Sequence, residues 1–194
     1  MEISSAQLKE LRDKTGISVM QCKKALVEAE GDMEKAVIIL KKKRSDAADK
    51  KSDRDIGAGA VGSYIHNTNE TASLVLLGCE TDFVSKNPEF LELARDIAMH
   101  VAATDPQYIS RTEVDESAMT AAKELFAAEV ADKPEDMREK ILEGKLSAYF
   151  KDQILLEQPF IKNPDNTISE MVTGAIQKFG ENVQVVKISR LSVK

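Results

Sequence analysis

Apolar positions change their spacing along the chain, and each change marks an element. Near the start, Leu8 and Leu11 lie one helical turn apart behind Ser4 and Gln7, which form a capping box. Gly16 stops that helix. Ser18 and Gln21 form a second capping box, and Val19, Cys22, Leu26 and Ala29 make one apolar stripe expected to face inward. Met20 lies off the stripe and is expected to be exposed. Gly31 closes the second helix, Asp32 caps a third, and Met33, Ala36, Val37 and Leu40 form its inward face. The pattern predicts a three-helix unit over residues 1–44.

Residues 41–55 are almost wholly polar. The run Lys41-Lys42-Lys43-Arg44 is expected to be the solvated end of the third helix, continuing into a charged linker over residues 45–56. The next stretch, Gly57-Ala58-Gly59-Ala60-Val61-Gly62, lacks the Gly-Lys-Ser/Thr of a phosphate loop and reads as the entry to a strand. Strands over 61–66 and 71–79, joined by Asn67-Thr68-Asn69-Glu70, predict a β-hairpin. After Cys79 the period returns to 3.6. Asn87 and Pro88 supply an N-cap and a first helical residue, and Phe90, Leu91, Ala94, Ile97, Ala98 and Val101 form a helix over 88–103.

The remainder is mostly helical. One helix is expected over 115–130. A second segment starts at Lys133 and Pro134 and ends at Gly144, and a short helix carries Leu146, Tyr149 and Phe150. Gln158-Pro159-Phe160 and Asn163-Pro164-Asp165 read as breaks. Thr167 and Glu170 make a capping box for a helix ended by Gly180. A last strand begins at Val183, and its inward positions shift phase after Val185, which predicts a bulge. Together these elements predict an α+β fold: an N-terminal three-helix bundle, then a small antiparallel sheet (61–66, 72–79, 183–192) packed on helices in a core domain spanning 57–194.

Composition narrows the function classes. The 194 residues carry a net charge of −6, against a general nucleic-acid binder. Two cysteines, Cys22 and Cys79, make no disulfide scaffold and suit a reducing cytoplasm. The first residues lack the layout of a signal peptide, and no apolar run reaches the roughly 20 residues needed to cross a bilayer. Neither a membrane nor a bound cofactor or metal is expected. A Cys79–His66 dyad is excluded within the hairpin, since eight residues of strand separate them by roughly 26 Å. Cys79–His100 remains geometrically open, but Cys79 reads more simply as a small buried residue at a strand end.

The junction Cys79-Glu80-Thr81-Asp82-Phe83-Val84 lies between strand and helix, where an aromatic residue beside a carboxylate needs a reason. Phe83 either turns inward to cover the core's end or stands out as an anchor for another protein. Residue patterns alone leave both open.

This junction closely resembles the signature of translation elongation factor Ts. Further blocks agree in family order: Leu11-Arg12-Asp13-Lys14-Thr15-Gly16, Cys22-Lys23-Lys24-Ala25-Leu26, Gly62-Ser63-Tyr64-Ile65-His66, Glu157-Gln158-Pro159-Phe160 and Gly180-Glu181-Asn182. The resemblance implies a non-enzymatic guanine-nucleotide exchange factor that meets elongation factor Tu in its GDP-bound and nucleotide-free states. It implies a ubiquitin-associated-like N-terminal bundle docking through Val19, Met20 and Lys23. It implies a further partner contact at His66. It implies that Thr81, Asp82, Phe83 and Val84 dislodge Mg²⁺ from the partner: Phe83 inserts between helices, Asp82 disturbs the groups holding the ion's water shell, and Thr81 and Val84 shape the turn. Longer relatives carry two core-like halves. This chain shows no long internal repeat, so the resemblance to short relatives implies a homodimer.

Overall fold

A computed structural model describes residues 3–131 and 134–193, and Lys133, expected to begin a helical segment, lies outside them. Helices α1 (Ser5–Thr15), α2 (Val19–Glu28) and α3 (Met33–Asp49) form the N-terminal bundle around Leu11, Ile17, Cys22, Ala25, Leu26, Ala36 and Leu40. Ser4 and Gln7 form the expected capping box, and the Asp32 side chain accepts the Lys35 N–H at 3.0 Å. Ser18 makes no side-chain cap. Its carbonyl takes the N–H groups of Gln21 and Cys22, while the Gln21 side-chain oxygen accepts from Gln177 at 2.9 Å. Val19 is exposed, contrary to the expected stripe. It is the first residue of α2, where the helix has left the core, and Ile17 and Ala25 fill the interior instead.

Helix α3 continues through Asp49. Its basic run is not simply solvated. Arg44 is half-buried, its Nη2 donating to the Thr15 carbonyl at 2.5 Å and its Nε to Gln177 Oε1 at 3.1 Å. Lys41 pairs with Glu170 at 2.8 Å. The bundle is thus tied to helix α8 (Ile168–Phe179).

Strands β1 (Ala58–Ile65), β2 (Thr71–Cys79) and β5 (Val183–Ser192) form an antiparallel sheet in the order β1-β2-β5. The hairpin turn closes with the His66 N–H on the Thr71 carbonyl, and Asn69 adopts the left-handed conformation that short polar side chains tolerate. β1 starts three residues earlier than expected: Ala58, Gly59 and Ala60 pair with Cys79, Gly78 and Leu77, and at Gly59 a Cβ would run into the Leu77 carbonyl. A Cβ on Gly62 would collide with the backbone of Ala94, where helix α5 (Pro88–Thr104) crosses the strand. The predicted bulge is present: Leu76 pairs with Lys187 and Leu77 with Val185, leaving Val186 extra.

Inward-facing Val75, Leu77, Cys79, Val183 and Val185 pack on α5 and α8 in the main core. The other face carries exposed Val61, Ile65, Leu74, Leu76 and Leu191. His100, buried on α5, joins α5 to the segment before α8. Its Nε2–H donates to Gln158 Oε1 at 2.8 Å and its Nδ1 accepts the Ile161 N–H at 3.4 Å, which fixes a neutral imidazole. Burial pushes its pKa down.

Two further expectations change. Gly144 does not end a helix: α7 (Glu135–Lys151) runs through it, because Leu142, Leu146 and Phe150 share one face against α6 (Glu116–Val130). That packing outweighs the roughly 1 kcal/mol cost of a helical glycine. The breaks near Pro159 and Pro164 are instead a small ribbon, β3 (Pro159–Phe160) and β4 (Asn163–Thr167). Its shortness and edge position tolerate proline.

Candidate functional site

The strand-to-helix junction is built from buried supports around one exposed ring. β2 ends at Cys79, which is fully buried and donates its S–H to the Thr81 carbonyl at 3.2 Å. Burial and the neighbouring Glu181 charge push the thiol pKa up, so the sulfur is no poised thiolate. Thr81 then caps a single helical turn, α4 (Asp82–Ser85), its Oγ1 accepting the Val84 N–H at 3.5 Å. Val84 is 3% exposed and belongs to the main core, whereas Phe83 beside it is 80% exposed. The turn therefore drives one apolar side chain in and the next out. A phenylalanine left in water forgoes about 1.5–3 kcal/mol of burial. Of the two alternatives open from the residues, the structure has the outward ring.

Asp82, at the first position of α4, pairs with Lys86 at 2.6 Å, four residues on. Lys86 holds its carboxyl below the usual aspartate range. Both side chains are well exposed, so the pair adds little stability and sets an ionised carboxylate, with the Lys86 ammonium against it, beside Phe83.

The junction is fastened from the far end of the sequence. Glu181 follows the left-handed cap residue Gly180 at the end of α8. Its carboxylate accepts the backbone N–H of Glu80 at 3.1 Å and of Thr81 at 3.0 Å, and the Thr81 hydroxyl at 2.5 Å. Glu80 returns the contact, accepting the Asn182 N–H at 2.6 Å, and pairs with Arg54 at 3.3 Å. These bonds hold the Glu80 carboxyl low. Asn182, 1% exposed, donates to the Arg54 carbonyl at 2.8 Å. Charge pattern and periodicity give no hint of this network. Its only trace in the sequence is the block Gly180-Glu181-Asn182.

The other candidates occupy separate places. Met20 is 67% exposed, and Val19 and Lys23 are exposed with it at the start of α2. Gln21 between them is held by Gln177 of α8, one helical turn before Glu181. This start of α2 and the aromatic turn thus share α8 as a support. His66 is exposed at the hairpin turn with its Nδ1 3.2 Å from the Tyr64 hydroxyl, at the other end of β1–β2 from Cys79. His100 is committed to Gln158 and Cys79 to Thr81, so neither is paired as nucleophile and base. No group of three or more His, Cys, Asp or Glu among the described residues could hold a metal ion. No described helix is long and apolar enough to cross a membrane.

The fold and site define an α+β protein in which a helical bundle and a small sheet flank a fastened surface turn with an outward aromatic. Comparison with known proteins gives the particular family. A family model described as elongation factor TS matches residues 47–194. Elongation factor Ts of Thermodesulfovibrio yellowstonii is 43% identical over 194 residues, covering all of this chain and 97% of that one. Its counterpart from Alkaliphilus metalliredigens is 46% identical over all of this chain and 90% of its own. That from Fervidobacterium nodosum is 44% identical, over all of this chain and 99% of its own. The chain belongs to the elongation factor Ts family.

Proposed function

We propose that this protein is a guanine-nucleotide exchange factor for elongation factor Tu, binding the GDP complex and releasing GDP by displacing Mg²⁺ so that GTP can enter. The observation that carries this reading is Phe83: 80% exposed, beside a buried Val84, on a turn whose flanking backbone is pinned. Such a ring is a wedge made before the partner arrives. An exchange factor makes and breaks no covalent bond. It binds the nucleotide-free partner more tightly than the nucleotide-bound one, and by linkage weakens nucleotide affinity by the same factor.

In this reading residues 1–44 form the docking domain, 45–56 the connection and 57–194 the core. Val19, Met20 and Lys23 dock on the partner's nucleotide-binding domain. Phe83 enters between its helices, and Asp82 competes for the groups around the ion's water shell. Thr81 and Val84 shape the turn, and His66 makes a contact away from the nucleotide. The protein works in the cytoplasm, without nucleic acid, membrane or cofactor. It pairs with a second copy through the exposed sheet face of Val61, Ile65, Leu74 and Leu191, an apolar surface in need of cover.

The test is release of a fluorescent GDP analogue from elongation factor Tu, chased with excess GDP at millimolar Mg²⁺. Acceleration by the wild type that largely disappears with Phe83→Ala is the expected result. Binding without acceleration would make the protein an adaptor, and unchanged release by Phe83→Ala would remove the wedge.

A further inference from the structure

We propose that Glu181 is a positioning residue for nucleotide exchange, holding the backbone of residues 80–81 so that Phe83 stands outward. This rests on the exchange reading above. The four residues of α4 make one turn, and an isolated turn of helix does not sustain itself in water. Something outside must fix the direction in which its second residue points.

The anchors are few. Val84 is buried on one side, and the Ser85 hydroxyl donates to the Asp82 carbonyl at 3.1 Å within the turn. Cys79 at the end of β2 donates its S–H to the Thr81 carbonyl, and the charged link to the rest of the molecule is the Glu181 carboxylate. One oxygen takes two consecutive backbone N–H groups, those of Glu80 and Thr81, and the other takes the Thr81 hydroxyl. That hydroxyl oxygen accepts the N–H of Val84. A continuous path of hydrogen bonds therefore runs from Glu181 through Thr81 to the residue directly after Phe83. Bonds to an ionised acceptor are the strong kind, and two of them fix backbone rather than a mobile side chain.

Glu181 is itself fixed. It lies between the Gly180 cap and Asn182, whose N–H is held by Glu80 and whose buried side chain donates to the carbonyls of Arg54 and Ser52. Two glutamates 101 residues apart thus each hold backbone next to the other. A glutamate serving only solubility would leave its oxygens in water.

The experiment uses the full chain and elongation factor Tu loaded with a fluorescent GDP analogue, over a range of factor concentrations. Glu181→Ala is expected to lower the maximal release rate about tenfold, the loss of charge-assisted bonds, with the half-saturating concentration changed less than about twofold. Because Glu181 acts through Phe83, Glu181→Ala in a Phe83→Ala background is expected to cost nothing further. In the free protein, amide exchange at Thr81 and Val84 should quicken while Val75 and Leu77 stay protected. Glu181→Gln keeps an acceptor but loses the charge, and should fall between wild type and alanine. It carries the same criteria if the alanine variant does not fold. A maximal rate within about twofold of wild type, or losses that multiply in the double variant, would overturn the proposal. No acceleration by the wild type would overturn the exchange reading instead, leaving amide exchange at Thr81 and Val84 to decide whether Glu181 braces the turn.

Discussion

Gln177 and Glu181 stand four residues apart at the end of α8 and serve different parts of the molecule. Gln177 accepts from Arg44 of α3 and donates to Gln21 of α2, whereas Glu181 holds the backbone of Glu80 and Thr81. One helix end therefore sets both the pose of the bundle and the pose of the aromatic turn. Replacing Gln177 with Ala should loosen only the first. At about 1 kcal/mol for each of these two lost hydrogen bonds, the half-saturating concentration for GDP release should rise by up to roughly thirtyfold while the maximal rate holds. Titration of release rate against factor concentration separates the two quantities, and a fall in maximal rate with unchanged half-saturation would contradict this division.

Two glycines should respond to alanine with opposite signs. At Gly62 the new Cβ would run into the Ala94 backbone, and no side-chain rotation can relieve that contact. Gly62→Ala should cost about 3 kcal/mol or more, since β1 and α5 must move apart. Gly144 is exposed within α7, and a methyl group there would meet no heavy atom within 4 Å. Gly144→Ala should stabilise by about 0.5–1 kcal/mol. Urea unfolding followed by circular dichroism reads both.

His100 makes stability fall in mild acid. Its folded pKa is pushed below the ordinary 6.5, so the unfolded chain takes up the proton first. Its contribution is intact above about pH 6.5 and is lost as pH drops from there toward the folded value, by up to about 1.4 kcal/mol per pH unit. Glutamine at this position can still donate to Gln158 but does not titrate. His100→Gln should therefore flatten the unfolding free energy between about pH 6.5 and 5, above the main carboxylate range. An unaltered slope would assign the effect elsewhere.

The exposed sheet face gives the homodimer its own test. Leu74 and Leu191 lie on that face and make no part of the main core. Leu74→Lys should leave the fold intact and shift sedimentation equilibrium at micromolar concentration from dimer to monomer. A monomeric wild type would remove the dimer from the account.

Local signals carried much of the fold. The Ser4–Gln7 and Thr167–Glu170 boxes, the Asn87-Pro88 start and the phase shift after Val185 all depend on neighbours within a few residues, and each is found where the sequence places it. Failures came where distant partners decide. Ser18 looks like a cap, but Gln21 is engaged by Gln177 from 156 residues away. Gly144 looks like a stop, but packing of Leu146 and Phe150 carries the helix through. The exposure of Phe83 was undecidable from pattern because both directions suit a junction. Glu181 was invisible because a glutamate after a helix-ending glycine is ordinary until the chain folds back on residues 80–81.

The outward ring of Phe83 also bears on how the protein survives its own surface. Glu80, Asp82 and Lys86 stand close to it in the chain, the last two as an exposed ion pair. Charges of both signs flanking a hydrophobe in the chain act as gatekeepers, discouraging chance encounters between copies at this tip. The molecule can thus carry its tip uncovered in a crowded solution and still offer it to a surface shaped to receive it.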